Sequence, residues 1–214
     1  MRTHLTILTL LVPLTAAAQP APPADAPPPP AGTAAPAPWS VGIEPRVGAS
    51  IATSKLGPYV IGGLSIDMAT PLANHRFLVG LDLSFTRPSH DGTVMDPRLP
   101  GGDTSYTIHE QELGIAVLAS YRFAGTDANL VPWAGVGPLI HLLKSTETTM
   151  AAPGDNTAAS TEFGVEAGGG LDLKAGPGYV AGDVRIAYTK LAHTITGDTN
   201  AGKIAIALGY RLVF

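Results

Sequence analysis

The chain has 214 residues, with 13 Lys+Arg against 17 Asp+Glu, 25 Gly, 20 Pro and no Cys, and a formal net charge of -4. That length fits one domain with appendages, and the charge balance offers no basic surface for nucleic acid. The absence of Cys excludes disulfides, thiol catalysis and thiolate metal sites.

The N-terminus reads as a secretory signal. Arg2 supplies the positive start, Leu5 to Leu14 the short apolar stretch, and Ala16, Ala17 and Ala18 an A-x-A site before Gln19. Cleavage is expected after Ala18, giving a signal peptide over 1–18. The alternative is a membrane-anchoring helix, which needs about 20 apolar residues and would have to contain Pro13. Residues 19–38 are almost entirely Pro and Ala, with Pro27 to Pro30 in one run. Such a segment buries no core and favours extended, solvated backbone, so it reads as a linker, with a Pro-rich ligand for a partner domain as the other possibility.

From Trp39 to Phe214 the pattern is period two, which predicts an all-β domain over 39–214. The first run sets Trp39, Val41, Ile43, Val47, Ala49 and Ile51 against Ser40, Gly42, Glu44, Arg46, Gly48 and Ser50. Strands then follow at Tyr59 to Thr70, Arg76 to Thr86, Tyr106 to Phe123, Asn129 to Lys144, Thr161 to Ala175, Tyr179 to Lys190 and Lys203 to Phe214. Within Asn129 to Lys144, Pro132 and Pro138 cannot donate to a ladder, so a bulge, a late start or a change of parity is expected there. About eight strands with alternating faces fit a closed antiparallel up-and-down barrel.

Alternation alone does not say which face points inward. The polar face carries Gly48, Gly80, Gly114, Gly164, Gly168, Gly170 and Gly209 with Ala and Ser between them, which suits the crowded inside of a narrow barrel. The apolar face has no Asp, Glu, Lys or Arg through the strand centres, as expected where a charge would meet lipid. The apolar face is therefore assigned to the membrane. Trp39, Phe77, Phe123, Trp133, Tyr179 and Phe214 are expected near one rim, and Tyr59, Phe85, Tyr106, Phe163 and Tyr188 near the other. Short connections at Pro71 to His75, Ala124 to Ala128 and Ala175 to Gly178 contrast with long ones at Pro88 to Ser105, Ser145 to Ser160 and Leu191 to Gly202. In such barrels the short turns face the periplasm and the long loops the outside.

Three stretches carry a resemblance: Gly164 to Leu173 (GVEAGGGLDL), Pro132 to Gly137 (PWAGVG) and the ending Gly209 to Phe214 (GYRLVF). Together they resemble the small outer-membrane β-barrel superfamily typified by OmpA and OmpX, over about Trp39 to Phe214. The resemblance implies a transmembrane barrel in the outer membrane of a Gram-negative bacterium. It also implies that Gly209, Leu212 and Phe214 act as the signal read by the barrel-insertion machinery, although Ala207 stands where that signal usually has a polar residue. It implies no particular activity, since such barrels host adhesion, structural, transport and lipid-modifying roles.

The charges with inward parity are Glu44, Arg46, Asp67, Asp82, Glu112, Arg122, Glu162, Glu166, Asp172, Lys174, Asp183, Arg185, Lys203 and Arg211. In so narrow a barrel they must be paired, so a polar plug is expected, with a gated ion path as the alternative. A lipid-modifying enzyme is the rival from another class. His109 with Glu110 and Glu112, or His193 beside Thr194, could serve it, but a His and Ser two apart on one strand face is missing, and Ser89-His90 is expected in a loop. Gly168-Gly169-Gly170 precedes no helix and is a close-packing feature rather than a phosphate loop. Asp91, Asp96 and Asp103 could bind divalent cations weakly, against the plainer reading of a solvated loop. The expectation is no cofactor, no metal and no catalysis, with outer-membrane lipid, the insertion machinery and a ligand of the long loops as partners.

Overall fold

The computed structural model describes residues 39–53, 56–95, 103–125, 128–149, 155–191 and 200–214. The expected signal peptide and linker, 1–38, lie outside the described residues, as do Asp96 and His193. Nine strands follow one another: β1 (Ser40–Ala52), β2 (Tyr59–Ala69), β3 (Phe77–Thr86), β4 (Ser89–Met95), β5 (Asp103–Arg122), β6 (Leu130–Thr149), β7 (Asp155–Ala175), β8 (Gly178–Thr189) and β9 (Lys203–Val213).

All pairings are antiparallel; β3 pairs with β5 as well as β2, the other strands pair with chain neighbours, and β1 pairs with β9, so the sheet closes on itself. Backbone bonds in both directions between Val41 and Phe214 complete the seam. β3 and β4 are one strand in all but continuity. Both pair with β5, and Thr86↔Glu112 and Ser89↔His109 lie in the same register on either side of Pro88, which has no N–H to give. The barrel wall is therefore eight-stranded. Its tight end is made by short turns, among them Gly176-Pro177, where Gly176 at φ 61 supplies the positive φ that a two-residue hairpin of this kind needs first.

The expected irregularity in β6 does not occur. Its register with β7 runs unbroken from Leu130↔Leu173 to Thr148↔Asp155. Pro132 and Pro138 both take the outward parity, and the ladder to β5 merely skips between Ala116↔Leu139 and Ala119↔Val136, opposite Pro138. The stretches Pro88 to Ser105 and Ser145 to Ser160, expected as loops, are largely strand: β4 pairs with Asp103–His109, and Ser145–Thr148 pairs with Asp155–Ala158. Ser89 and His90 accordingly sit on β4. Thr and Tyr at these positions favour strand, but without an apolar face they give no periodic signal to read.

The apolar face points outward throughout. Val47, Ile51, Val60, Val117, Val136, Val165, Leu171, Ile186, Ile206 and Leu208 are all at least half exposed. On β5 the outward run from Leu113 to Phe123 covers about 33 Å of strand. At the usual tilt this makes a band about 25 Å tall, the height of a membrane's apolar core. The band ends abruptly at Arg87, Gln111, Lys144, Thr161 and Lys190, the next outward positions on their strands. Trp39, Tyr121, Phe123 and Phe214 border it at the tight end, and Phe85, Phe163 and Tyr188 at the other. Trp133 is not among them. It is buried inside the barrel at 6% exposure, while Tyr59, Tyr106 and Tyr179 are half-buried rather than lipid-facing.

Glycines on the inward face make room for neighbours. A Cβ on Gly48 would run into the carbonyl oxygen of Ile206, and one on Gly164 into Thr189. Small residues there are a steric requirement of the narrow bore.

The outward band generates a direct test. Replacing Leu81 or Ile206 by Arg should destabilise the folded barrel by about 2–4 kcal/mol in lipid vesicles, as a mid-membrane charge does. Replacing Thr93, exposed on β4 beyond the band, should change stability by about 0.5 kcal/mol or less. Urea titration of refolding reads both, and equal tolerance at the two places would refute the face assignment.

Candidate functional site: the buried charge network of the bore

Alternation aims every second side chain of each strand into the bore, and the inward set includes eight buried carboxylates against five buried Lys and Arg among the described residues. They group into three clusters.

The central cluster is built on Asp82 of β3. Arg46 of β1 grips both of its carboxylate oxygens, with Nη1 to Oδ2 at 2.6 Å. Arg185 of β8 reaches the same Oδ2 at 2.5 Å, and the Ser65 hydroxyl of β2 donates to it at 2.6 Å while accepting from Arg46. Arg185 also contacts Glu166 of β7 at 3.0 Å and its strand neighbour Asp183 at 3.1 Å, and its guanidinium lies 5.7 Å over the Trp133 ring of β6. A planar donor fork can serve several carboxylates at once in a way that a lysine ammonium cannot.

Nearer the tight end, Arg211 of β9 contacts Asp172 of β7 at 2.5 Å, Glu44 of β1 at 2.9 Å and Asp67 of β2 at 3.3 Å. Arg122 of β5 stands 3.9 Å from Asp67, a looser electrostatic contact. Glu44 is wholly buried. The third cluster lies toward the loop end, where Glu112 of β5 meets Lys203 of β9 at 3.4 Å and His141 of β6 at 3.3 Å. Beside it Glu110 accepts from Ser145 at 3.3 Å. Along β5 and β6 Ala116, Leu118 and Leu139, joined by Ala187, form an apolar layer of the interior. Leu143, Leu191 and Ala201 form a second apolar layer beyond His141.

The glycines serve these charges. A Cβ on Gly42 would meet the Asp67 carboxylate, one on Gly63 the Arg46 guanidinium, and one on Gly209 the stems of Arg46 and Glu44. Interior cavities beside the central cluster measure about 30 and 10 Å³, room for a water molecule and little more.

Of the residues expected in the bore, Glu44, Arg46, Asp67, Asp82, Glu112, Arg122, Glu166, Asp172, Asp183, Arg185, Lys203 and Arg211 are buried there. Lys174 is not: it shares their parity but sits one residue from the end of β7, where the bore opens and the side chain is exposed. Glu162 is half-buried opposite His141. Sequence reasoning missed Glu110, His141, Ser65 and Trp133 as members of the interior. Glu110 shares its parity with Glu112 and could have been found by that alone. His141 and Trp133 lie among inward Val131, Leu139 and Leu143, so β6 is apolar on both faces and gives no polar side to follow. His109 is exposed on the face opposite Glu110 and Glu112, so alternation itself keeps it away from both. Among the described residues no group of three His, Asp or Glu is gathered to hold a metal ion. Asp91 accepts from Thr107 across the β4–β5 ladder. Gly209 faces inward, with Leu212 and Phe214 outward at the edge of the band.

No family model and no curated protein matches the chain. Solved structures do. The chain is similar to a major outer membrane protein from Thermus thermophilus, at 16% identity and a TM-score of 0.52, over 81% of this chain and 99% of that one. It is also similar to Neisserial surface protein A, at 17% identity and a TM-score of 0.49, over 82% and 97% of the two chains. The N-terminal β-barrel domain of Pseudomonas aeruginosa OprF stands at 17% and 0.48, over the same shares. At 16% identity the likeness to the Thermus protein shows a shared fold alone, the small closed antiparallel barrel.

Removing one partner of a buried ion pair strands the other charge, at a cost of about 3–5 kcal/mol, whereas an exposed pair is worth about 0–1 kcal/mol. Arg211→Ala and Arg46→Ala should therefore lower stability in urea by about 3–5 kcal/mol, and Lys174→Ala by no more than about 1 kcal/mol. Equal urea midpoints for all three would contradict a network that holds the barrel together.

Proposed function

We propose that this chain is an exported outer-membrane barrel with a structural or surface-interaction role, whose bore is closed by paired charges and which carries out no catalysis. The observation that supports this best is a contrast. The interior is filled by interlocked side chains, while four strands, β4 to β7, continue past the apolar band at the loop end. Among the described residues β4 pairs only with β5, and β7 gains β8 as a partner only from Gly164 onward, so this extension is a small sheet standing on the barrel. In this reading the wall anchors the protein, the extension and its loops make contacts outside, and the Pro-rich linker reaches into the periplasm. The short turns then face the periplasm, and export begins with the signal peptide. Gly209, Leu212 and Phe214 present the chain to the insertion machinery, with Phe214 offering an aromatic at the lipid edge.

The gated-channel alternative has one observation behind it: buried carboxylates outnumber buried cations, so any path opened through the bore would favour cations. The two readings separate in planar bilayers. The intact barrel should pass little current, and Arg46→Ala with Arg185→Ala should raise it and make it cation-selective. A steady current through the unaltered protein would replace the plug with the channel.

A further inference from the structure

The loop-end edge of the apolar band is not uniform. Arg87, Gln111 and Lys144 follow one another across β3–β4, β5 and β6 on the outer surface. Gln111 pairs with Lys144, and it lies between the ladder pairs Thr86↔Glu112 and Ser89↔His109 that bracket Arg87. With strands about 4.8 Å apart, the two cations spring from backbones about 10 Å apart, close enough for both long side chains to reach one phosphate. Both are exposed, and Arg87 lies over the Phe85 ring at 5.2 Å.

Below Gln111 and Lys144, an open groove of about 380 Å³ on the outer face is lined by Phe85, Leu113 and Leu142, and Arg87 reaches its edge through its contact with the Phe85 ring. The acids nearest in sequence lie on other faces or have other partners. Glu112 points into the bore toward Lys203 and His141, Glu110 accepts from Ser145 there, Glu147 takes the inward parity of β6, opposite to Lys144, and Asp91, the next outward acid along β4, is four residues beyond Arg87 and accepts from Thr107.

Resting on the outer-membrane reading, we propose that this groove is a binding site for a phosphorylated lipid of the leaflet on the loop side. The phosphate sits between Arg87 and Lys144, Gln111 donates to the headgroup, and an acyl chain lies along Phe85, Leu113 and Leu142. A lipid fits better than a free phosphate, because the cations stand where the apolar band meets the headgroup layer and the groove below them opens sideways toward acyl chains. Basic side chains at that level attract anionic headgroups, at about fivefold per cation near the surface, or roughly thirtyfold for two.

The test reconstitutes the full-length protein in vesicles of phosphatidylcholine with added lipid A. It first confirms insertion by protease protection, then counts retained lipid by native mass spectrometry. The unaltered barrel should keep lipid A in preference to phosphatidylcholine. Arg87→Ala with Lys144→Ala should lower that preference roughly thirtyfold, and Lys174→Ala should leave it unchanged. A double variant that inserts normally and keeps the same preference overturns the site while leaving the membrane reading intact. Loss of lipid A to added inorganic phosphate would show a phosphate site rather than a lipid site. A barrel that fails to insert at all overturns the outer-membrane reading, and this inference with it.

Discussion

A guanidinium placed inside a bore too narrow for bulk water has to find its carboxylate there, and most other features of this barrel follow from that constraint. Asp82 is met by Arg46, Arg185 and Ser65, and Arg211 by Glu44, Asp67 and Asp172. Apart from Ser65 and Asp82, which face each other across the β2–β3 ladder, each of these contacts joins strands that are far apart in the chain or are not neighbours in the wall. With Arg122, Glu112, Lys203 and His141, all eight wall strands contribute at least one member, so the network ties the wall together across its diameter as the backbone ladder ties it around its circumference.

The same constraint explains the glycines. A side chain as long as arginine can lean into the bore only where the neighbouring strands have nothing in its way. Gly63 lies under the Arg46 guanidinium, and Gly209 lies against the stems of Arg46 and Glu44. Gly209 thus has a local steric reason for its identity, independent of any role in recognition by other proteins. On the outside the requirement is reversed: bulky apolar residues where lipid lies, and charged or polar residues wherever the band stops. Arg87 and Lys144 mark that edge on one side of the wall.

Much of this was legible because period two is strict in β1, β3 and β9, where one face is wholly apolar and the other small or charged. The bore charges followed from the same parity, with Lys174 misplaced because parity carries no information about where a strand runs out of bore. β6 was harder. Its inward Trp133, Leu139 and Leu143 mirror an apolar outer face, so the run offered no contrast, and its two prolines suggested a disruption that an outward orientation avoids. The extension of β4 to β7 was hidden for the opposite reason. Apart from Ser145, its Thr, Ser and Asn positions are exposed or half-buried, and only the pairing with a neighbouring strand makes them β. No sequence pattern announces that partner, because pairing across a turn leaves no periodic mark on residues that bury nothing.

The central claim is that the buried charges hold one another in place, and a double-mutant cycle on Arg46 and Asp82 measures that directly for the central cluster. Arg46→Met, Asp82→Leu and the pair together would be compared by urea unfolding of the barrel refolded in lipid vesicles. Each single change should cost about 3–5 kcal/mol, and the double change should cost less than the sum by well over 1 kcal/mol, because it leaves fewer charges stranded. Costs that add within about 0.5 kcal/mol would mean that Arg46 and Asp82 are independent, and would contradict the account.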